Sequence, residues 1–296
     1  MKQFNVFRGL ILTILLTCCN SVWAYDIEVD GIYYNITSVT DLTVEVTKGD
    51  NEYSGDIVIP STITYKSKTL TVTSIQGWAF NDSFDLTSIV IPNSVTSIGE
   101  FAFYKCSNLT SVVIPNTVTY IGYNAFDGCK NISEVHINSL TAWCNIEFYY
   151  ATSNPLCYAG NLYLNGELVT ELIIPDDVTK IEKFAFCRCE SITSVAIPNT
   201  VTYIGYDAFD DCENISEVHI NSLTAWCNIE FNTSSSNPLY YAKNLYLNGE
   251  LVTELIIPDD VTKIKNYAFY CCESITSVVI PSSVTSIGVG AFYCCI

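Results

Sequence analysis

This sequence predicts a β-rich repeat solenoid of about nine 23-residue rungs joined by a parallel β-sheet, with a small β cap in front. Three observations lead there. An Ile-Pro dipeptide returns at a fixed period, two aliphatic columns stand two residues apart in every repeat, and each repeat closes on the same kind of turn.

The dipeptide occupies Ile59-Pro60, Ile91-Pro92, Ile114-Pro115, Ile174-Pro175, Ile197-Pro198, Ile257-Pro258 and Ile280-Pro281, and Ile137-Asn138 and Ile220-Asn221 fill the same slot. Successive spacings are 32, 23, 23, 37, 23, 23, 37 and 23 residues. The base period is therefore 23. The first long interval adds residues near Tyr65 to Thr73, and the two 37-residue intervals place insertions near 139–162 and 222–245.

Two residues before each slot Ile stand Ile57, Ile89, Val112, Val135, Leu172, Val195, Val218, Leu255 and Val278. Aliphatic residues at a spacing of two mark a strand with one face buried. The slot Pro ends the strand because it has no N–H for the ladder. A second short apolar run follows, such as Val95-Thr96-Ser97-Ile98, often with Gly next. Ala-Phe pairs such as Ala102-Phe103 and Ala125-Phe126 come after it, with a Cys three residues beyond at 106, 129, 189, 212, 272 and 295. One 23-residue rung cannot bury its own apolar side, but stacked rungs share a continuous core.

The run from Leu109 to Cys129, with Val112, Ile114, Pro115, Val118, Ile121, Gly122, Ala125 and Phe126 in place, resembles the BspA-like leucine-rich repeats. The resemblance covers about residues 57 to 296. It implies a right-handed leucine-rich-repeat-like array with a curved parallel sheet. It also implies export to the surface of host-associated bacteria or protozoa and a role linked to adhesion. The family carries no catalytic residues to transfer. The chain departs from many members in showing no C-terminal sorting module and in stopping at Ile296, in mid-rung, which suggests an incomplete array.

Ahead of the array, Lys2 and Arg8 flank an apolar run from Leu10 to Leu16, and Val22-Trp23-Ala24 offers a cleavage site before Tyr25. Residues 1–24 therefore read as a signal peptide, too short in its apolar part to span a bilayer. Cys18 and Cys19 leave a lipidated N-terminus as the alternative. The expected location is secreted or cell-surface, with no transmembrane segment after signal removal. Residues 25–56 alternate apolar and polar side chains around Asp30-Gly31 and read as a β cap on the solenoid of 57–296. Asn165-Gly166 and Asn248-Gly249 signal hairpins in the two long intervals. A larger duplication overlies the repeats: residues 115–197 align without gaps on 198–280, and fifteen of the 83 positions differ.

The formal net charge of −18 excludes nucleic acid and bare anionic membrane as natural partners. Motifs for catalysis are lacking: there is no HExxH or GxSxG, and the two histidines, His136 and His219, occupy equivalent places in the two copies. They read as outward strand residues. Asp176-Asp177 and Asp259-Asp260 read as solvated turns. No catalytic residue, metal ligand or cofactor is expected, and the chain does not read as an enzyme. The Cys column reads as small buried residues, with cross-rung disulfides as the alternative. Cys187, Cys271 and Cys294, outside the column, read as pairing or exposed thiols.

The candidate site is the outward side of the strands. One column reads Val58, Val90, Val113, His136, Ile173, Ala196, His219, Ile256 and Val279. Its flank includes Glu134, Glu171, Glu217 and Glu254 among Ser and Asp. A strand face turned only to water is usually polar, so an apolar column signals a partner or a covering layer. The candidate binding residues are Val113, Glu134, His136, Glu171, Ile173, Glu217, His219 and Ile256. Trp143, Phe148, Trp226 and Phe231 in the insertions supply a possible cover. The function the sequence leads one to expect is an exported or cell-surface binding or adhesion module for a protein or glycan ligand, host extracellular molecules included. The alternative is a structural spacer without a ligand of its own, and an enzyme comes third.

Overall fold

The computed structural model describes residues 25–295, so the signal peptide read at 1–24 lies outside the described residues. The coil is built from two strand positions per turn. On its first face, strands Gly55–Val58, Leu86–Val90, Ser111–Val113, Glu134–Ile137 and Leu162–Leu164 pair in parallel. On its second face, Lys68–Ile75, Ser97–Ile98, Tyr120–Ile121 and Glu147–Phe148 do the same. Register advances by one repeat per strand, with Ser111 opposite Glu134 and Val112 opposite Val135. The aliphatic columns consequently stack on themselves: Val112, Val135, Leu172, Val195 and Val218 are fully buried.

The turn between the faces follows from its sequence. The Phe rings stack one above another, with Phe80, Phe103 and Phe126 at centroid separations of 5.0 Å per step. Offset stacking of this kind adds about 0.5–1.5 kcal/mol per pair beyond area burial. The Cys column is thiol, and there is no disulfide among the described residues. Cys106 Sγ donates to the Phe80 carbonyl at 3.0 Å and Cys129 Sγ to that of Phe103 at 2.9 Å, so each thiol reaches the rung beneath. Burial pushes the Cys144 thiol up to about 12 and that of Cys189 up to about 11. Gly122 is required by closeness: a Cβ there would lie 2.6 Å from the Glu100 nitrogen of the rung beneath.

In front of the coil, strands Ile27–Val29, Ile32–Ser38 and Thr43–Thr47 form an antiparallel meander, with Asp30 and Gly31 at positive φ in the first turn. Thr43–Thr47 then pairs in parallel with Lys68–Ile75, which joins the meander to the second face. At the other end, Val278 on strand Ser277–Val279 and Ile280 just after it are more than a third exposed.

The stretches 139–162 and 222–245, read as insertions, are turns of the coil itself. Ser139 caps a short helix, Leu140–Cys144, by accepting from the Ala142 N–H. Glu147–Phe148 adds a second-face strand, Pro155 starts helix Leu156–Ala159, and Gly160 at φ 65 ends it. Leu162 then pairs beside Val135. Each 37-residue interval is thus a 27-residue helical turn to Leu162 followed by ten residues to Leu172, not a 23-residue rung with fourteen extra. The first face carries eleven ladder strands among the described residues, against nine Ile-Pro slots. The second copy repeats this arrangement with Leu223–Cys227, Leu239–Ala242 and Leu245–Leu247.

After each helical turn the ladder breaks. Glu167–Leu168 folds back antiparallel on Leu162–Leu164, with Asn165 and Gly166 at φ 52 and 87. A new parallel block starts at Glu171–Ile173. Across this seam the turns are held instead by the indole of Trp143 donating to Ala185 O at 2.8 Å, Asn154 Nδ2 donating to Phe184 O at 2.8 Å, and Glu182 N–H donating to Cys144 O at 2.8 Å.

Candidate functional site

With the aliphatic columns turned in, the alternating residues of the first-face strands point out. Ile173 is 63% exposed, Ile256 57% and Val113 36%, and Val58, Val90 and Val279 are exposed as well. His136 and His219 are partly buried. Glu171 and Glu254 are exposed, and Glu134 and Glu217 are partly so. All eight predicted residues therefore point outward from first-face strands, with one seam between His136 and Glu171 and another between His219 and Ile256.

The cover imagined for this face is not there. Trp143, Phe148, Trp226 and Phe231 are buried inside the helical turns, where they pack in pairs with ring centroids 5.2 and 5.3 Å apart. Their sequence stretch belongs to the coil, so it cannot fold back over the strands.

The histidines are fixed by their neighbours. His136 Nε2 lies 2.9 Å from Glu134 Oε2, and its ring stacks on Tyr163 at 4.7 Å. His219 repeats this with Glu217 at 2.9 Å and Tyr246 at 4.8 Å. Tyr163 and Tyr246 were missed because their segments read as projecting hairpins; the register places them directly beside the histidines. With Tyr163 in the column, three paired strand steps and one seam separate His136 from His219, which is more than roughly 14 Å and too far for one ligand atom to touch both.

Beyond each Tyr, the hairpin presents Leu168 and Leu251, both exposed. In the second copy a depression of about 330 Å³ lies there, lined by Leu247, Leu251, Glu254 and Ile256 among others. Each group thus combines an imidazole, a phenol ring, two or three aliphatic side chains and two carboxylates. At the near end of the acidic row, Asp56 accepts from Ser88 Oγ at 2.6 Å and Thr87 Oγ1 at 2.8 Å, which holds its carboxyl below the usual carboxylate range. Such a face can bury apolar side chains and accept hydrogen bonds from cationic or amide groups. Among the described residues, no group of His, Cys, Asp and Glu is arranged to hold a metal ion. The Asp pairs have a structural role: Thr141 Oγ1 donates to Asp177 at 2.8 Å and Thr224 Oγ1 to Asp260 at 2.9 Å, tying each helical turn to the next slot.

A family model described as a BspA type leucine rich repeat region matches the chain in six copies, over residues 56–154, 160–246 and 242–296. No curated protein matches. Among solved structures, the chain is similar to a leucine-rich repeat protein from Bacteroides ovatus, at 26% identity over 92% of this chain and 80% of that one, with a TM-score of 0.45. It is also similar to a leucine rich cell surface protein from Faecalibacterium prausnitzii, at 22% identity over 90% and 73%, with a TM-score of 0.45. A third is the leucine rich repeat protein of T. pallidum, at 21% identity over 89% and 86%, with a TM-score of 0.36.

Proposed function

The chain belongs to the BspA-type leucine-rich-repeat family, and on that footing we propose that it is an exported, cell-surface binding module whose first sheet face docks a protein ligand. The observation that supports this reading most is the outward column from Val113 through the half-buried His136 and Tyr163 to Ile173, flanked by Glu134 and Glu171 and largely repeated in the second copy. Apolar area with a carboxylate rim is the composition of a protein-docking patch, in which aromatic and aliphatic anchors supply affinity and the charged rim supplies orientation. Two equivalent patches on one rigid coil allow two contacts with a repetitive or dimeric partner, raising avidity without new chemistry.

The test is an array of extracellular-matrix proteins and glycans probed with the purified chain. Saturable capture of one or more proteins is the expected outcome. Capture of glycans alone transfers the reading to a sugar ligand. No saturable capture on either set favours a structural spacer.

A further inference from the structure

The seam after the first helical turn holds two thiols face to face. Cys157, on helix Leu156–Ala159, has its Sγ 3.8 Å from the Sγ of Cys187 on the next turn of the coil. Cys157 lines a polar depression of about 460 Å³ together with Arg188, Glu190 and Asp211, while Cys187 lies beneath it, 2% exposed. The sequence duplication gives a second, independent observation. The equivalent positions in the second copy are Tyr240 and Tyr270, whose rings stack at 5.7 Å and 8°. The two positions change together, from a Cys pair to a Tyr pair, although they are 30 residues apart in sequence. Each pair bridges the same ladder break by its own chemistry.

We propose that Cys157 and Cys187 are an oxidation site that closes to a disulfide when the chain meets a disulfide oxidant, stapling the helical turn to the rung after it. Closing the contact from 3.8 Å to a bond of about 2.0 Å needs only side-chain rotation and a small approach of the two turns. Cys157 Sγ, the sulfur that opens on the depression, gives up its proton and attacks the oxidant, releasing one thiol and forming a mixed disulfide. Cys187 Sγ then loses its proton and displaces the second thiol. Two S–H bonds are lost, one S–S bond forms, and the oxidant gains two electrons and two protons. Cys187, buried away from the depression, is therefore the resolving rather than the attacking group. The buried ladder thiols, such as Cys106 and Cys129, have no such opening. Cys271 and Cys294 also neighbour each other, but on the outer surface of the last described turns.

The full chain is incubated with oxidised glutathione, its remaining thiols are alkylated in denaturant, and it is digested without reduction. The expected result is a linked peptide pair containing Cys157 and Cys187, with the oxidised chain melting roughly 5–10 °C above the reduced one. The double variant Cys157→Tyr with Cys187→Tyr copies the pair that the second half already accommodates, so it tests the assignment in a folded chain. Its melting temperature should not respond to the oxidant. Finding Cys157 and Cys187 both alkylated, or linked to other cysteines, overturns the proposal. An undiminished oxidant-dependent shift in the Tyr/Tyr variant also overturns it.

Discussion

Residues 115–197 and 198–280 fold into the same succession of strands and short helices, yet fifteen of their 83 positions differ. Fourteen of the differences lie in turns and short helices, among them Asn124 against Asp207, Tyr149 against Asn232, Gly160 against Lys243 and Arg188 against Cys271. Only Ala196 against Val279 falls on a strand. A ladder residue touches its equivalents above and below, so a change must fit two neighbours at once in a close-packed interior. A turn or short-helix residue has fewer such neighbours to satisfy, and where it is buried, as at Cys157 and Cys187, its partner changes with it. Even a positive φ is met twice by different means: Gly160 adopts it freely, whereas Lys243 at φ 62 is held with its ammonium 2.8 Å from Glu273. The candidate docking columns sit on the side that differs only at Ala196 against Val279, so the two halves offer nearly the same apolar and acidic patch while their turn edges differ.

If the two halves share one core, equivalent substitutions must cost the same in both. The largest effect is expected at the tryptophans of the helical turns. Trp143→Ala and Trp226→Ala each remove a buried indole and its hydrogen bond across the seam, and each should cost about 3–5 kcal/mol in chemical denaturation. A clear inequality between them means that the two seams are not equivalent. Smaller effects belong to the close approaches of stacked turns. At Gly122 and Gly205 a Cβ would come within 2.6 and 2.4 Å of the backbone beneath, so Gly122→Ala and Gly205→Ala should each lose about 1–3 kcal/mol.

The smallest effect should separate the halves. Asp210 in the second copy has its carboxyl pushed above the ordinary range by burial and by Asp207 and Asp211, against a smaller opposing pull from Arg188. The first copy has Asn124 and Gly128 where those two neighbours stand, and Tyr158 donates to Asp127 at 2.6 Å. A raised carboxyl holds its proton longer folded than unfolded, so its stabilising contribution is present below 3.8 and is lost as pH rises through the folded value. Asp210→Asn should therefore flatten this part of the pH dependence and raise stability at neutral pH, whereas Asp127→Asn should lower it by removing the tyrosine's charged acceptor. Melting curves between pH 3 and 7 read both.

Much of this was legible in the residues. The period of 23, the inward columns at Ile57 to Val278 and the outward column from Val58 to Val279 follow from spacing alone, because a parallel ladder repeats its sequence at every step. The helical turn was not legible as a turn. Its ladder residue, Leu162, comes 27 residues after Val135 rather than 23, and helical and strand spacings alternate within it, so no single period marks it. Tyr163 and Tyr246 were hidden for the same reason: Asn165-Gly166 and Asn248-Gly249 announce hairpins, but not that the first arm of each is also a rung. The exposure of the apolar column depended on where Trp143 and Trp226 lie, which only their burial in the coil decides.

The most direct test of a docking face is to charge it without touching the core. Val113→Lys with Ile173→Glu places opposite charges on two exposed strand positions whose inward neighbours, Val112 and Leu172, stay in place. Ligand capture and thermal unfolding are measured on the same preparation. The expected result is that capture falls to what the second patch alone can hold while the melting temperature moves by no more than about 2 °C. Capture at wild-type strength from a folded double variant would contradict the docking face and move the search to the turn edge around Tyr149 and Asn232.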